Sequence, residues 1–127
     1  MAKYEAISKE VHGNQRWKPN PDYLFAAKDA LCTLVIQEAP KAVLHLPIAF
    51  TKIEDHFGLV AVQSVEIGSN YLVDTKGNWH GGYIPAAYRA DPFALAYTHD
   101  QHHTLCINTD SNLLSDSDGY LFFDEDG

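Results

Sequence analysis

A chain of 127 residues is long enough for one domain with a real core and too short to hold two comfortably. With 46% apolar and 20% charged residues it is not globally disordered, and its net charge of −8, from 9 basic against 17 acidic side chains, disfavours nucleic acid and anionic membrane as partners. The longest apolar windows, around Leu31–Ile36 and Ala42–Phe50, are short and carry His45 and Pro47, far from the roughly 20 apolar residues of a bilayer span.

The first twenty residues are polar, with a short strand expected at Tyr4–Ser8 and Trp17 expected to anchor this arm to the body. The N-terminus has no apolar core behind its lysine, so no Sec-type signal is expected. Cys32 and Cys106 are accordingly expected to be reduced, buried, unpaired thiols. Tyr23–Ala39 reads as the principal helix, within residues 21–40. Leu31, Leu34, Val35 and Glu38–Ala39 give it a roughly 3.6-residue apolar period, Asp29 an N-cap, and Pro40 a stop. A start near Pro21 with Asp22 in the first turn is the alternative.

Beyond Pro40 the apolar period shortens toward two. Residues 42–53 and 57–67 read as two strands around a turn at Glu54–His56, with Pro47 making the first an edge or bulged strand. Tyr71–Asp74 and Asn78–Tyr83 suggest a short hairpin around a tight turn at Asp74–Gly77. Ile84–Ala90 reads as one helical turn with Pro85 at its start. Residues 93–98 and 103–108 suggest a third hairpin, and Leu113–Asp116 with Tyr120–Phe123 a fourth through Ser117–Gly119. The expected fold is a single α+β domain, one main helix followed by antiparallel β-hairpins, rich in β structure.

Asn70–Leu95 is the most distinctive stretch. It holds Tyr71, Trp79, Tyr83, Tyr88 and Phe93 among Gly77, Gly81, Gly82, Pro85 and Pro92. Such chemistry specifies one irregular shape. Trp79, Tyr83, Tyr88 and Phe93 are candidate partner-binding residues, because rigid aromatics near Gly and Pro are frequent at recognition surfaces. Core packing is the competing reading for each, since so short a domain needs large side chains at its centre.

Three blocks carry a family resemblance: LPIAF with GLVAV; NYLVD with GNWHGGYIPA and DPFAL; and LCINTDSNLLSD with FFDEDG. With the opening KYEAISKE and HGNQRW, they make the chain resemble the bacterial SapC family over essentially its whole length. The usual tyrosine before Pro-Ile is His45-Leu46 here, and the usual Tyr-Pro-Phe is Asp91–Phe93. The resemblance implies a cytoplasmic protein associated with S-layer or surface-protein export. It also implies that this chain is a short member or the N-terminal half of a longer one. It implies no catalytic residues. An unrelated peptide-transporter permease shares the name.

His99, Asp100, His102 and His103 form the densest polar cluster. Two imidazoles and a carboxylate, as in His99, Asp100 and His102, are a workable metal set. Adjacent His102 and His103 point to opposite faces of a strand, however, and cannot both chelate easily. Aligning Gly119 with the glycine of a calcium loop brings Asp116, Asp118 and Glu125 to ligand positions but leaves Leu114 at the first, so a turn with a solvated acidic tail is expected. No P-loop, dinucleotide fingerprint or nucleophile elbow is present. The expected function is a non-enzymatic binding or accessory module that recognises a polypeptide without a cofactor. A metal-assisted enzyme or enzyme subunit using His99, His102 and His103 is the alternative. Homo-oligomerisation is left open.

Overall fold

The computed structural model describes residues 2–127. They form three small antiparallel sheets with a few short helices, in two compact units. One unit takes the described residues up to Asn20 together with Ala90–Gly127, and the other takes Pro21–Arg89.

In the Pro21–Arg89 unit, β3 (Leu31–Thr33), β4 (Ile48–Ile53) and β5 (His56–Val62) form a sheet in the order β3-β5-β4. The β4–β5 hairpin closes at Ile53↔His56, so Glu54 and Asp55 make the turn, with Glu54 at a positive φ of 52°. Pro47 stands just before β4, where it costs no ladder donor, and its carbonyl accepts from the Val62 N–H at 2.8 Å. β4 is an edge strand, as the proline requires. β5 is central, and its Leu59, Val60 and Ala61 are all buried. The core gathers Cys32, Leu34, Leu46, Leu59 and Tyr88, with Tyr23, Leu72, Trp79, Tyr83 and Ile84 packed against it.

The expected principal helix over 21–40 is absent. Its residues form a 3-10 turn at Leu24–Ala26, strand β3, a second 3-10 turn at Ile36–Glu38, and the start of α2 (Ala39–Ala42). The apolar stripe is matched by accident. The sheet buries Cys32 and Leu34 while Leu31, Val35 and Ile36 stay exposed, which no single helical face would do. Asp29 caps no helix; its carboxylate accepts from the Tyr88 hydroxyl. Pro40 lies in the first turn of α2, where a missing N–H is harmless, and does not end a helix. The Tyr71–Tyr83 hairpin reduces to one bridge, Val73↔Trp79, around the Asp74–Gly77 turn. α3 (Ala86–Ala90) follows Pro85.

The other unit holds β1 (Tyr4–Ala6), α1 (Lys9–His12), β2 (Arg16–Trp17), β6 (Phe93–Tyr97), β7 (His103–Asn108), β8 (Leu114–Ser115) and β9 (Tyr120–Leu121). One sheet runs β1-β7-β6 and the other β8-β2-β9. The β6–β7 hairpin forms as its alternation predicts. β8 and β9 do not pair with each other, because β2 lies between them: Arg16 faces Ser115 and Leu121, and Trp17 faces Leu114 and Tyr120. The Trp17 ring meets Phe93 edge-on at 4.8 Å and Tyr120 at 5.5 Å, so this tryptophan does anchor the N-terminal arm. No helix among the described residues is long and apolar enough to cross a membrane.

Candidate functional site

The Pro21–Arg89 unit carries a cleft of about 600 Å³. Its walls include Tyr23, Trp79 and Ile84, and its rim includes Asp22, Lys76 and Asn78. Local sequence chemistry builds it. Asp74 folds back on the chain after it: one carboxylate oxygen accepts from the Lys76 and Asn78 N–H groups at 2.8 and 2.9 Å. The other takes the Asn78 amide at 3.0 Å and His80 Nε2 at 2.9 Å. These contacts, led by His80, hold the Asp74 carboxyl well below the usual carboxylate range. Gly77 closes the turn at φ +84°, and any Cβ there would meet Asp22 at 2.7 Å. The Tyr23 N–H donates to the Gly77 carbonyl at 2.9 Å and ties together the two segments that line the cleft. Both walls are therefore fixed by hydrogen bonds before any ligand arrives.

The same unit holds a polar network that the sequence reading missed. Glu38 is 6% exposed. Its carboxylate accepts from the Val35 N–H, the Tyr83 hydroxyl and the Ala86 N–H, each at 2.9 Å. Tyr83 in turn accepts from Arg89, whose guanidinium lies 5.8 Å from the ring centre. Desolvation and the Glu38 contact raise the Tyr83 hydroxyl pKa. The only sequence signal for this role is the three-residue spacing from Val35 to Glu38, half of a capping box.

A second network surrounds Tyr88. Its hydroxyl donates to Asp29 at 3.1 Å and accepts from Gln63 at 2.8 Å. Burial raises its pKa strongly. Burial also pushes the neighbouring Cys32 thiol up to about 11. Both cysteines are free and buried, and a thiol so shifted is a poor nucleophile at neutral pH.

The four aromatic candidates divide between the units. Tyr88 is buried, while Trp79 and Tyr83 are half-buried and packed on the core. The Trp79 indole N–H donates to the Tyr83 carbonyl at 3.0 Å, and its ring meets Tyr88 edge-on at 5.7 Å. Phe93 stands on β6 in the other unit, where it lines an apolar groove of about 530 Å³ with Trp17, Leu105 and Phe122. His99, Asp100 and His102 lie exposed in the β6–β7 loop, and His103 opens β7 with its ring against Tyr97 at 5.0 Å. Asp118 is paired with Lys18. No group of three or more His, Cys, Asp or Glu among the described residues is placed to hold a metal ion.

A family model described as SapC matches residues 7–127. No curated protein and no solved structure matches the chain.

Proposed function

The chain belongs to the SapC family, and from that premise we propose that it is a non-enzymatic accessory module that binds a polypeptide during export or modification of a surface-layer type protein. The cytoplasm is the compartment in which this reading places it. The observation that carries the reading is the preorganised cleft lined by Tyr23 and Trp79, whose rings pack on each other at 5.7 Å. Both walls are set by backbone hydrogen bonds and a positive-φ glycine, so little conformational entropy remains to be lost when a peptide enters. Tyr23 and Trp79 supply the aromatic part of a lining that is otherwise largely polar. Asp22, Lys76 and Asn78 supply polar contacts at the rim.

The test is capture of exported surface polypeptides from native lysate, identified by mass spectrometry, with wild type compared to Lys76→Glu and Asn78→Ala. Melting temperature is read in parallel. Loss of the same captured chains at unchanged melting supports the cleft. Unaltered capture by both variants removes it as the binding surface.

A further inference from the structure

The outer edge of β6 carries hydrogen-bonding groups that nothing in its own sheet uses. β6 is the last strand in the order β1-β7-β6. Two bonds set which of its groups face β7: the Asn108 N–H donates to the Pro92 carbonyl and the Thr98 N–H to the His102 carbonyl, each at 2.9 Å. Bonded and non-bonded pairs alternate along an antiparallel ladder. With Ala94 opposite Cys106 and Ala96 opposite Thr104, those two alanines turn their backbone toward β7. The N–H and C=O groups of Phe93, Leu95 and Tyr97 point the other way. No hydrogen bond outside the ladder reaches them among the described residues.

The same three residues place their side chains on one face, beside Ile107, Leu105 and His103 of β7. Leu95 is 68% and Tyr97 66% exposed, and the apolar groove begins at Phe93 on this face. Sheet edges are normally blunted by charge, proline or a covering element. Phe93–Tyr97 contains neither a charge nor a proline. The surroundings are acidic. Phe122 and Phe123, on the groove wall, run directly into exposed Asp124, Glu125 and Asp126. The whole unit has four basic side chains, Lys3, Lys9, Arg16 and Lys18, against ten acidic ones, a net −6. Lys18 is already paired with Asp118.

We propose that β6 takes an extended segment of a partner polypeptide as an added strand. Alternate apolar side chains of that segment lie beside Leu95 and Tyr97 on the groove face, and its Lys or Arg side chains, on the opposite face, are drawn by the net negative charge of the unit. Unpaired backbone groups call for another extended backbone, the exposed apolar face for side chains at a two-residue period, and the negative field for basic charge. The inference rests on the reading of this protein as a polypeptide binder, but at a surface other than the Tyr23–Trp79 cleft.

The test uses the full chain and a synthetic peptide alternating Val with Lys, followed by fluorescence anisotropy. Two further peptides carry N-methyl groups on alternate amides, one in each register. Binding is expected for the parent peptide, to weaken with added salt, and to fail for a Val-Glu counterpart. One methylated register should bind and the other should not, because an added strand offers only every second amide to β6. Leu95→Pro removes an outward N–H and no ladder bond, and should weaken binding about tenfold or more, whereas Leu95→Ala keeps the donor and loses less. Equal behaviour of the two methylated registers overturns the proposal, and that arm needs no altered protein. Self-association that disappears in Leu95→Pro also overturns it, since the edge then serves a second copy. Binding lost in Lys76→Glu but kept in Leu95→Pro overturns the β6 site and leaves the cleft reading standing. Failure of the Val-Lys peptide to bind, with surface polypeptides still captured through the cleft, does the same.

Discussion

Replacing Glu38 tests whether one buried carboxylate ties Val35, Tyr83 and Ala86 together. Its three acceptor contacts, to Val35, Tyr83 and Ala86, all measure 2.9 Å. Glu38→Gln keeps the volume but offers one acceptor oxygen where the carboxylate has two. If the amide oxygen stays with Tyr83 and Ala86, the NH2 faces the Val35 N–H, donor against donor. If it flips, the NH2 faces the Ala86 N–H. Either way a part-buried backbone donor loses its partner, which costs about 1–2 kcal/mol. Glu38→Ala leaves all three part-buried donors without their partner and should cost about 2–3 kcal/mol. Tyr83→Phe removes one bond of three and should cost about 1 kcal/mol. Equilibrium urea unfolding, followed by tryptophan fluorescence and circular dichroism, reads all three. The expected order of loss is Ala, then Gln, then Phe. A Glu38→Gln midpoint equal to wild type, or a Tyr83→Phe loss exceeding that of Glu38→Ala, refutes the role assigned to this carboxylate.

Gly82→Ala should lose about 1–2 kcal/mol, because the position sits at φ +74° and a Cβ would come within 2.7 Å of His45 Nδ1; thermal melting reads the change. Asp74 should titrate by NMR below the ordinary aspartate value of 3.8. Its folded pKa is depressed, so its support of the turn is complete above 3.8 and fades as pH falls toward the folded pKa. Loss of that depression in His80→Ala and Asn78→Ala would trace it to the two side chains named, and a normal midpoint in wild type would refute it. Cys32, with a thiol pKa of about 11, should resist iodoacetamide at pH 8 until urea unfolds the chain. Burial of the neutral thiol adds stability that is complete below its ordinary value of 9.0 and is lost as pH rises through about 11. Rapid labelling of the native protein contradicts this.

Local pattern made the β4–β5 and β6–β7 hairpins legible. Each joins alternating apolar runs across a short polar turn, so all the information lies within about twenty residues. The β8-β2-β9 sheet was illegible for the opposite reason. Leu114–Ser115 and Tyr120–Leu121 read as each other's partners, yet Arg16 and Trp17 come between them from the far end of the chain. Nothing in a short window announces that. The Arg16 guanidinium donates to the Gly119 carbonyl at 3.0 Å, a contact visible only once the fold exists. The misread helix failed through coincidence of periods. Leu31, Leu34 and Val35 satisfy a 3.6-residue stripe, but a strand followed by a 3-10 turn places the same letters differently and turns Cys32 inward. Glu38 read only as part of that stripe, because a buried acid and a surface acid look alike until their donors are in place.

The aromatic segment shows the limit of reading a site from composition. Trp79, Tyr83 and Tyr88 satisfy their polar atoms internally: the indole with the Tyr83 carbonyl, Tyr83 with Glu38 and Arg89, and Tyr88 with Asp29 and Gln63. Tyr88 is 7% exposed, so its ring has almost no surface left for a partner. Trp79 keeps one face on the cleft while the rest of its ring packs on Tyr23 and Tyr88, at 5.7 Å from each. Its replacement should therefore act on stability first: Trp79→Ala is expected to cost about 3–5 kcal/mol, with capture falling because the cleft loses a wall. Lys76 and Asn78 stand on the rim and are exposed, so Lys76→Glu and Asn78→Ala should reduce capture with melting nearly unchanged. The two classes of variant thus separate on a plot of capture against melting temperature. If Trp79→Ala melts like wild type and Lys76→Glu captures like wild type, the tryptophan is not structural and the cleft is not the binding surface.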